Sequence, residues 1–369
     1  MSQIYDPTAI RRELHQIPEL ALHEFRTSAY VADHLEAIGV ETEREVGGTT
    51  GVVGVIRGAE PGPVMMLRAD MDALPFVIDG KPCAIHACGH DGHTAMLLAA
   101  ASRIKAAGLV RRGTLKLLFQ PAEENLMGAP AMIRAGVIDD VDIAIGAHIR
   151  PVQDIPAGKL CSAVRHASST TVFVEVEGRG AHASRPHLGV NAIDVSCAVI
   201  EAVQAIWLDP KMSWSAKATQ IHADAGATNT VPPKSRITFD VRAQTNGLMT
   251  ELLDKIERAA TGVGAAYGAE VKVIRQIVCP ACWYDDDLVA EVADAIRETA
   301  GEESLAGDCG GGGEDFHFYK LARPEIKAAY FGVGVGATPG LHAADMRFDD
   351  TLLPLGVAVF ENLVKRHLG

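Results

Sequence analysis

Thr114-Leu115-Lys116-Leu117-Leu118-Phe119-Gln120-Pro121-Ala122-Glu123-Glu124 reads as a buried β-strand that stops at a proline and delivers two adjacent carboxylates. The same design recurs on both sides. Upstream, Val64-Met65-Met66-Leu67 runs into Arg68-Ala69-Asp70-Met71-Asp72-Ala73-Leu74-Pro75. Downstream, Ile143-Ala144-Ile145-Gly146-Ala147 ends on His148. Between the first two strands, the apolar run from Thr94 to Ala101 predicts a helix reaching about residue 107. Strands alternating with helices predict an α/β fold with a mostly parallel sheet. Ligands bind such sheets beyond the carboxyl ends of the strands, where this reading places Asp70, Glu123, Glu124 and His148.

The stretch just before that helix is His86-Ala87-Cys88-Gly89-His90-Asp91-Gly92-His93, expected as a loop. Thiolate and neutral imidazole are preferred ligands of borderline-soft divalent metals. Cys88, His90, Glu124, His148 and, beyond Gly340-Leu341, His342 together exceed what one tetrahedral metal with an open position needs. They suit two metals sharing a bridging ligand, and a thiolate such as Cys88 can serve two cations. Glu123 and Glu124 are neighbours on an irregular turn and point different ways. One can therefore bind metal while the other acts as general base and acid.

The chain of 369 residues is long enough for about two domains. A hydrophobic fraction of 48% supports a sizeable core. The net charge of −13, without a basic block, argues against nucleic acid and against anionic membranes as partners. The opening residues have no signal-peptide pattern, and no apolar run approaches the ~18 residues of a spanning helix. Seven scattered cysteines fit reduced thiols, so the cytoplasm is the expected location. Cys279-Pro280-Ala281-Cys282 lacks the second pair that a zinc ribbon needs.

The pattern changes near residue 169. Thr171–Glu177 alternates like a half-exposed strand. A helix over about 190–206, strands near 216–223 and 236–241, a helix over about 249–264 and a strand at 270–274 follow. The order β-α-β-β-α-β is that of the ferredoxin-like sandwich. The expected organisation is a catalytic domain in two parts, residues 1–168 and 279–369, with an inserted α+β domain at 169–278.

The segments Arg12–Leu20, Arg68–Pro75, His86–Thr94, Gln120–Glu124, Gly146–His148, Gly180–His187, Asn229-Thr230-Val231-Pro232, Glu314-Asp315-Phe316 and Leu341-His342 carry a resemblance. In this order they resemble the amidohydrolase branch of the dinuclear metallopeptidase family, which includes aminoacylases, carboxypeptidase G, hippurate hydrolases and hydrolases of indole-3-acetyl-amino acids. The resemblance covers nearly the whole chain. It implies a zinc-peptidase-like catalytic domain with a lid that also forms a homodimer.

By the same resemblance Cys88 is the bridging ligand, and His90, Glu124, His148 and His342 complete two metal shells. Glu123 is the base acting on metal-activated water, and Asp70 a carboxylate that orients a ligand. His182 would stabilise the oxyanion in the partner's site, while Asn229 and Arg242 would bind the substrate's backbone or carboxylate. Much of the wider family has a histidine at the position of Arg68, which cannot ligate; His90 takes its place.

The implied function is removal of the acyl group from N-acyl amino acids or related small amides, using two divalent ions drawn from manganese, zinc, cobalt or nickel. A dipeptidase, or a silent binding protein on the same scaffold, is the alternative. Phe76–Ile85 is shorter than the loop usual there, so the acyl and amine specificities of better-known members do not transfer. Asn125-Leu126-Met127 stands where small residues are common; it either adds apolar surface near the acyl pocket or packs under its loop, and packing is slightly favoured.

Overall fold

A computed structural model describes residues 3–369 and divides them into two compact units, one formed by 3–165 and 283–369 and the other by 166–282. The larger unit holds an eight-stranded sheet. Its spatial order is Glu41–Val46, Gly51–Arg57, Arg112–Gln120, Glu60–Asp70, Ile143–Pro151, Lys327–Ala337, Leu160–Cys161 and Leu305–Ala306. The four strands from Arg112–Gln120 to Lys327–Ala337 are mutually parallel, as the alternation of strands and helices predicts. Every residue of Ile143–Pro151 is buried, consistent with a strand covered on both faces.

The helix His90–Ala107 is buried along most of its length and packs on the helices Pro7–Leu14 and Leu353–Leu368. Each of its fully buried side chains, such as Met96, Leu97 and Leu98, contributes about 1.5–3 kcal/mol.

Three local expectations are corrected. The helix begins at His90, four residues earlier than its apolar run suggests, so His90 and His93 stand on its first turn. Gly89 makes the entry possible: its φ is +86°, and a Cβ there would lie 2.1 Å from Cδ1 of Ile149. His148 is not at a strand exit. Pairing with Lys327–Ala337 carries its strand on to Pro151.

The short segment before the Cys/His stretch is a hairpin rather than a loop, with Leu74–Ile78 antiparallel to Lys81–Ile85. Asp79 and Gly80 both have positive φ (51° and 74°), the two-residue turn that an Asp-Gly pair between apolar runs favours.

The smaller unit contains a four-stranded antiparallel sheet in the order Trp214–Ala223, Lys234–Ala243, Ser168–Glu177, Glu270–Arg275. In chain sequence this is 2-3-1-4, the ferredoxin-like order. Along Ser168–Glu177 burial alternates, and Val172, Val174 and Val176 face a core shared with the helices Ala192–Gln204 and Asn246–Tyr267. A groove of about 730 Å³ in this unit is lined by charged residues including Glu175, Lys234, Arg236 and Glu270, and holds none of the expected metal donors. The Sγ atoms of Cys161 and Cys309 lie 3.4 Å apart as neighbouring thiols, too far for a disulfide bond. No helix among the described residues is long and apolar enough to cross a membrane.

Candidate metal centre

The parallel strands and the loops that follow them bring the five expected donors together in the larger unit. Cys88 groups with His90 and His148, and separately with Glu124 and His342; within each group the ligand atoms lie within 4.8 Å of one another. Sγ of Cys88 is 3.4 Å from Nε2 of His148. Oε1 of Glu124 is 3.8 Å from Nε2 of His90 and 3.5 Å from Nε2 of His342. Cys88 is thus common to two potential ligand sets. His342 reaches the cluster from a turn in which its own φ is +65°, and its N–H donates to the carbonyl of Ala87 at 2.8 Å. Its side chain is half exposed, whereas Cys88, His90 and His148 are buried.

The donor set fits divalent cations on physical grounds. Nε2 of His90 and Oε1 of Glu124 are buried with no hydrogen-bond partner among the described residues, which is costly for a polar atom unless something else meets it. Burial pushes the Cys88 thiol up and raises Glu124 to about 7, the latter also under the influence of Asp72 and Asp70. Burial, Glu314, Asp315 and Glu124 push Glu123 well above the usual carboxylate range. Positive charge arriving at the cluster would favour the anionic form of each of these groups. His148 is held neutral by burial, which leaves a ring nitrogen free to ligate.

The orienting carboxylate differs from the expectation. Asp70 accepts a hydrogen bond from Nδ1 of His93 at 2.6 Å, and Nε2 of His93 in turn accepts the N–H of Ile149 at 2.9 Å. His93 is therefore fully engaged as a strut. Oδ1 of Asp72 sits 3.1 Å from Nδ1 of His90, against 3.9 Å for Asp70. Asp72 also accepts the N–H of Glu124 at 3.0 Å, so one carboxylate orients two of the candidate ligands. The signal was present in Asp70-Met71-Asp72, but sequence spacing does not say which aspartate meets which histidine.

Arg68 is fully buried and anchors the floor of the site. Its guanidinium donates to Gln120 (2.9 Å), Asp70 (2.6 Å) and Asp315 (2.7 Å) and pairs with Glu314 (3.0 Å). Burial still lifts Asp315 to about 8, against the pull of Arg68 and with a push from Glu314. Asp315 in turn places its own N–H 3.3 Å from Oε1 of Glu123. Arg68→Met leaves these carboxylates without their cation. The expected result is a loss of about 3–5 kcal/mol in stability, read as a marked fall in thermal midpoint; an unchanged midpoint would contradict the assignment.

The three remaining expected residues lie in the smaller unit. His182 is exposed on the short strand Ala181–His182, which pairs with Thr230–Val231, and its Nδ1 accepts from Ser184 Oγ at 2.8 Å. Asn229 is its neighbour: the N–H of Ala183 donates to the Asn229 carbonyl at 2.8 Å. Arg242, on Lys234–Ala243, makes a two-pronged contact with Asp240 at 2.8 and 3.2 Å.

The model of peptidase family M20/M25/M40 matches residues 66–366, and the chain belongs to this family. Hippurate hydrolase of Campylobacter jejuni is 33% identical, with 97% of this chain and 96% of that protein covered. N-acetyl-L-cysteine deacetylase of Bacillus subtilis is 35% identical over 88% of this chain and 79% of its own length. Among solved structures, a dinuclear metal-binding peptidase of family M20 from Bacillus subtilis superimposes with a TM-score of 0.82 at 26% identity, covering 98% of this chain and 97% of that one.

Proposed function

We propose that this protein is a metal-dependent amidohydrolase that cleaves N-acyl amino acids, and that Cys88 would serve both of two divalent cations. Cys88, His90 and His148 would hold one cation together, and Cys88, Glu124 and His342 the other. The observation that carries the reading is the membership of Cys88 in both donor groups, with Glu123 beside them. Bound cations supply Lewis acidity toward the amide carbonyl and toward water.

Glu123 takes the proton of the attacking water and returns it to the departing amine. The N–H of Asp315 steadies the Glu123 carboxylate for both transfers. Asp72 fixes the ring of His90 and the backbone of Glu124. Oxyanion stabilisation by His182, substrate binding by Asn229 and Arg242, a homodimer formed through the inserted domain and a cytoplasmic location all belong to this proposal. They rest on the resemblance.

The substrate class is supported by the relatives, whose names point to N-benzoyl and N-acetyl amino acids. The family's description as peptidases favours short peptides as the second reading. Mixed sulfur, nitrogen and oxygen donors accept manganese, zinc, cobalt or nickel. The test is amine release from N-acetyl, N-benzoyl and indole-acetyl amino acids and from dipeptides, after loading with each metal. Turnover of the acyl amino acids is expected. Turnover of dipeptides alone would establish the second reading, and turnover of none with metal bound would end the first.

A further inference from the structure

Glu24 stands just before the helix Phe25–Ala37 and is fully buried, yet its carboxylate serves a distant segment. Oε1 accepts the backbone N–H of Ala122 at 2.9 Å and that of Leu22 at 3.0 Å, and Oε2 accepts the Thr50 hydroxyl at 2.5 Å. Its contacts among the described residues are N–H and O–H donors rather than a cation. Burying a carboxylate in this way is costly unless those donors need it.

One of them does. Ala122 has φ +56°, a left-handed conformation that costs a residue bearing a Cβ roughly 1–2 kcal/mol. The Ala122 carbonyl is also tied, accepting from Met127 at 3.2 Å and Gly128 at 3.1 Å. The residues that follow this bend are Glu123 and Glu124. Glu124 is caught at its own N–H by Asp72, while the Glu123 side chain goes to the N–H of Asp315. The bend at Ala122 therefore sets the divergence of the two glutamates.

We propose that Glu24 is a positioning residue of the hydrolytic site: by accepting the Ala122 N–H it holds the bend that aims Glu123 at the reacting water and Glu124 at the cations. The inference rests on the roles given to those two glutamates above. Reach is what matters, since the carboxylate must span from the start of one helix to the loop after Arg112–Gln120. Glu24→Gln keeps an acceptor at the same distance, and Thr50 can reverse its hydroxyl to meet the new amide. Glu24→Asp keeps the charge and withdraws it by one methylene.

The experiment compares these two variants with the wild type. A misplacement of about 1 Å costs on the order of 10²-fold in rate. Glu24→Asp should thus lower kcat about 10–100-fold with KM nearly unchanged, and it should alter the ligand-field bands of the cobalt-loaded protein as Glu124 shifts. Glu24→Gln should stay within about threefold of wild type and keep its spectrum. A Glu24→Asp protein with wild-type kcat and bands, or a Glu24→Gln protein as impaired as Glu24→Asp, overturns the proposal. A wild type that binds cobalt but cleaves no amide sinks the proposed function instead; the cobalt bands of the two variants then still decide the role of Glu24.

Discussion

Glu123→Gln is expected to lower turnover of N-acyl amino acids by roughly 10²–10⁴-fold, the range for loss of a general base, while leaving metal content intact. The substitution is nearly isosteric. An amide oxygen can still accept the Asp315 N–H that lies 3.3 Å from Oε1, so the loop should hold its shape. What disappears is a group able to take a proton from water and pass it to the amine. The companion Glu124→Gln should behave differently, losing metal first and activity as a consequence. Its Oε1 lies between Nε2 of His90 and Nε2 of His342, at 3.8 and 3.5 Å, where a ligand is needed rather than a base. Elemental analysis beside rate measurements separates the two. Equal metal loss in Glu123→Gln would show that the roles of the glutamates are reversed.

Cys88→Ala carries the second large effect. Because the thiol belongs to both donor groups, its removal should cost both cations, whereas His148→Ala or His342→Ala should cost one. Burial pushes the Cys88 thiol up, so without metal it stays protonated, and only nearby cations make the thiolate the stable form. Metal titration by calorimetry should show two strong sites in the wild type, one in either histidine variant and neither in Cys88→Ala. A Cys88→Ala protein that retains both sites would refute the bridge and require another shared ligand.

Much of the architecture was legible because each signal was local. Apolar strands ending in polar residues announced the parallel sheet. The β-α-β-β-α-β succession announced the sandwich, whose strands the structure arranges in the order 2-3-1-4. The residues of the candidate cluster were legible by type, as a thiol, imidazoles and an acidic pair, and the structure groups them. Helix starts and hairpins were less so. Gly89 adopts a left-handed conformation that lets the helix begin at His90, and the Asp79-Gly80 turn converts an apparent loop into paired strands.

The supporting contacts were hidden for a different reason. Asp70 and Asp72 are near-identical in sequence context, yet one braces His93 and the other orients His90. Glu24 reads as an ordinary residue ahead of a helix, and its partner Ala122 lies 98 positions away.

By itself, the sequence determined which chemical groups are present, which short segments become strands or helices, and in what order they follow one another. Those properties depend on side-chain type and on periodicities of a few residues. Only the tertiary structure decided which carboxylate meets which imidazole, that Arg68 neutralises the acids beneath the site, and that Cys88 stands between two donor sets. Those relations are contacts of a few ångströms between residues tens to hundreds of positions apart. They arise when the parallel strands are stacked side by side and their ends converge, and no local pattern encodes that distance.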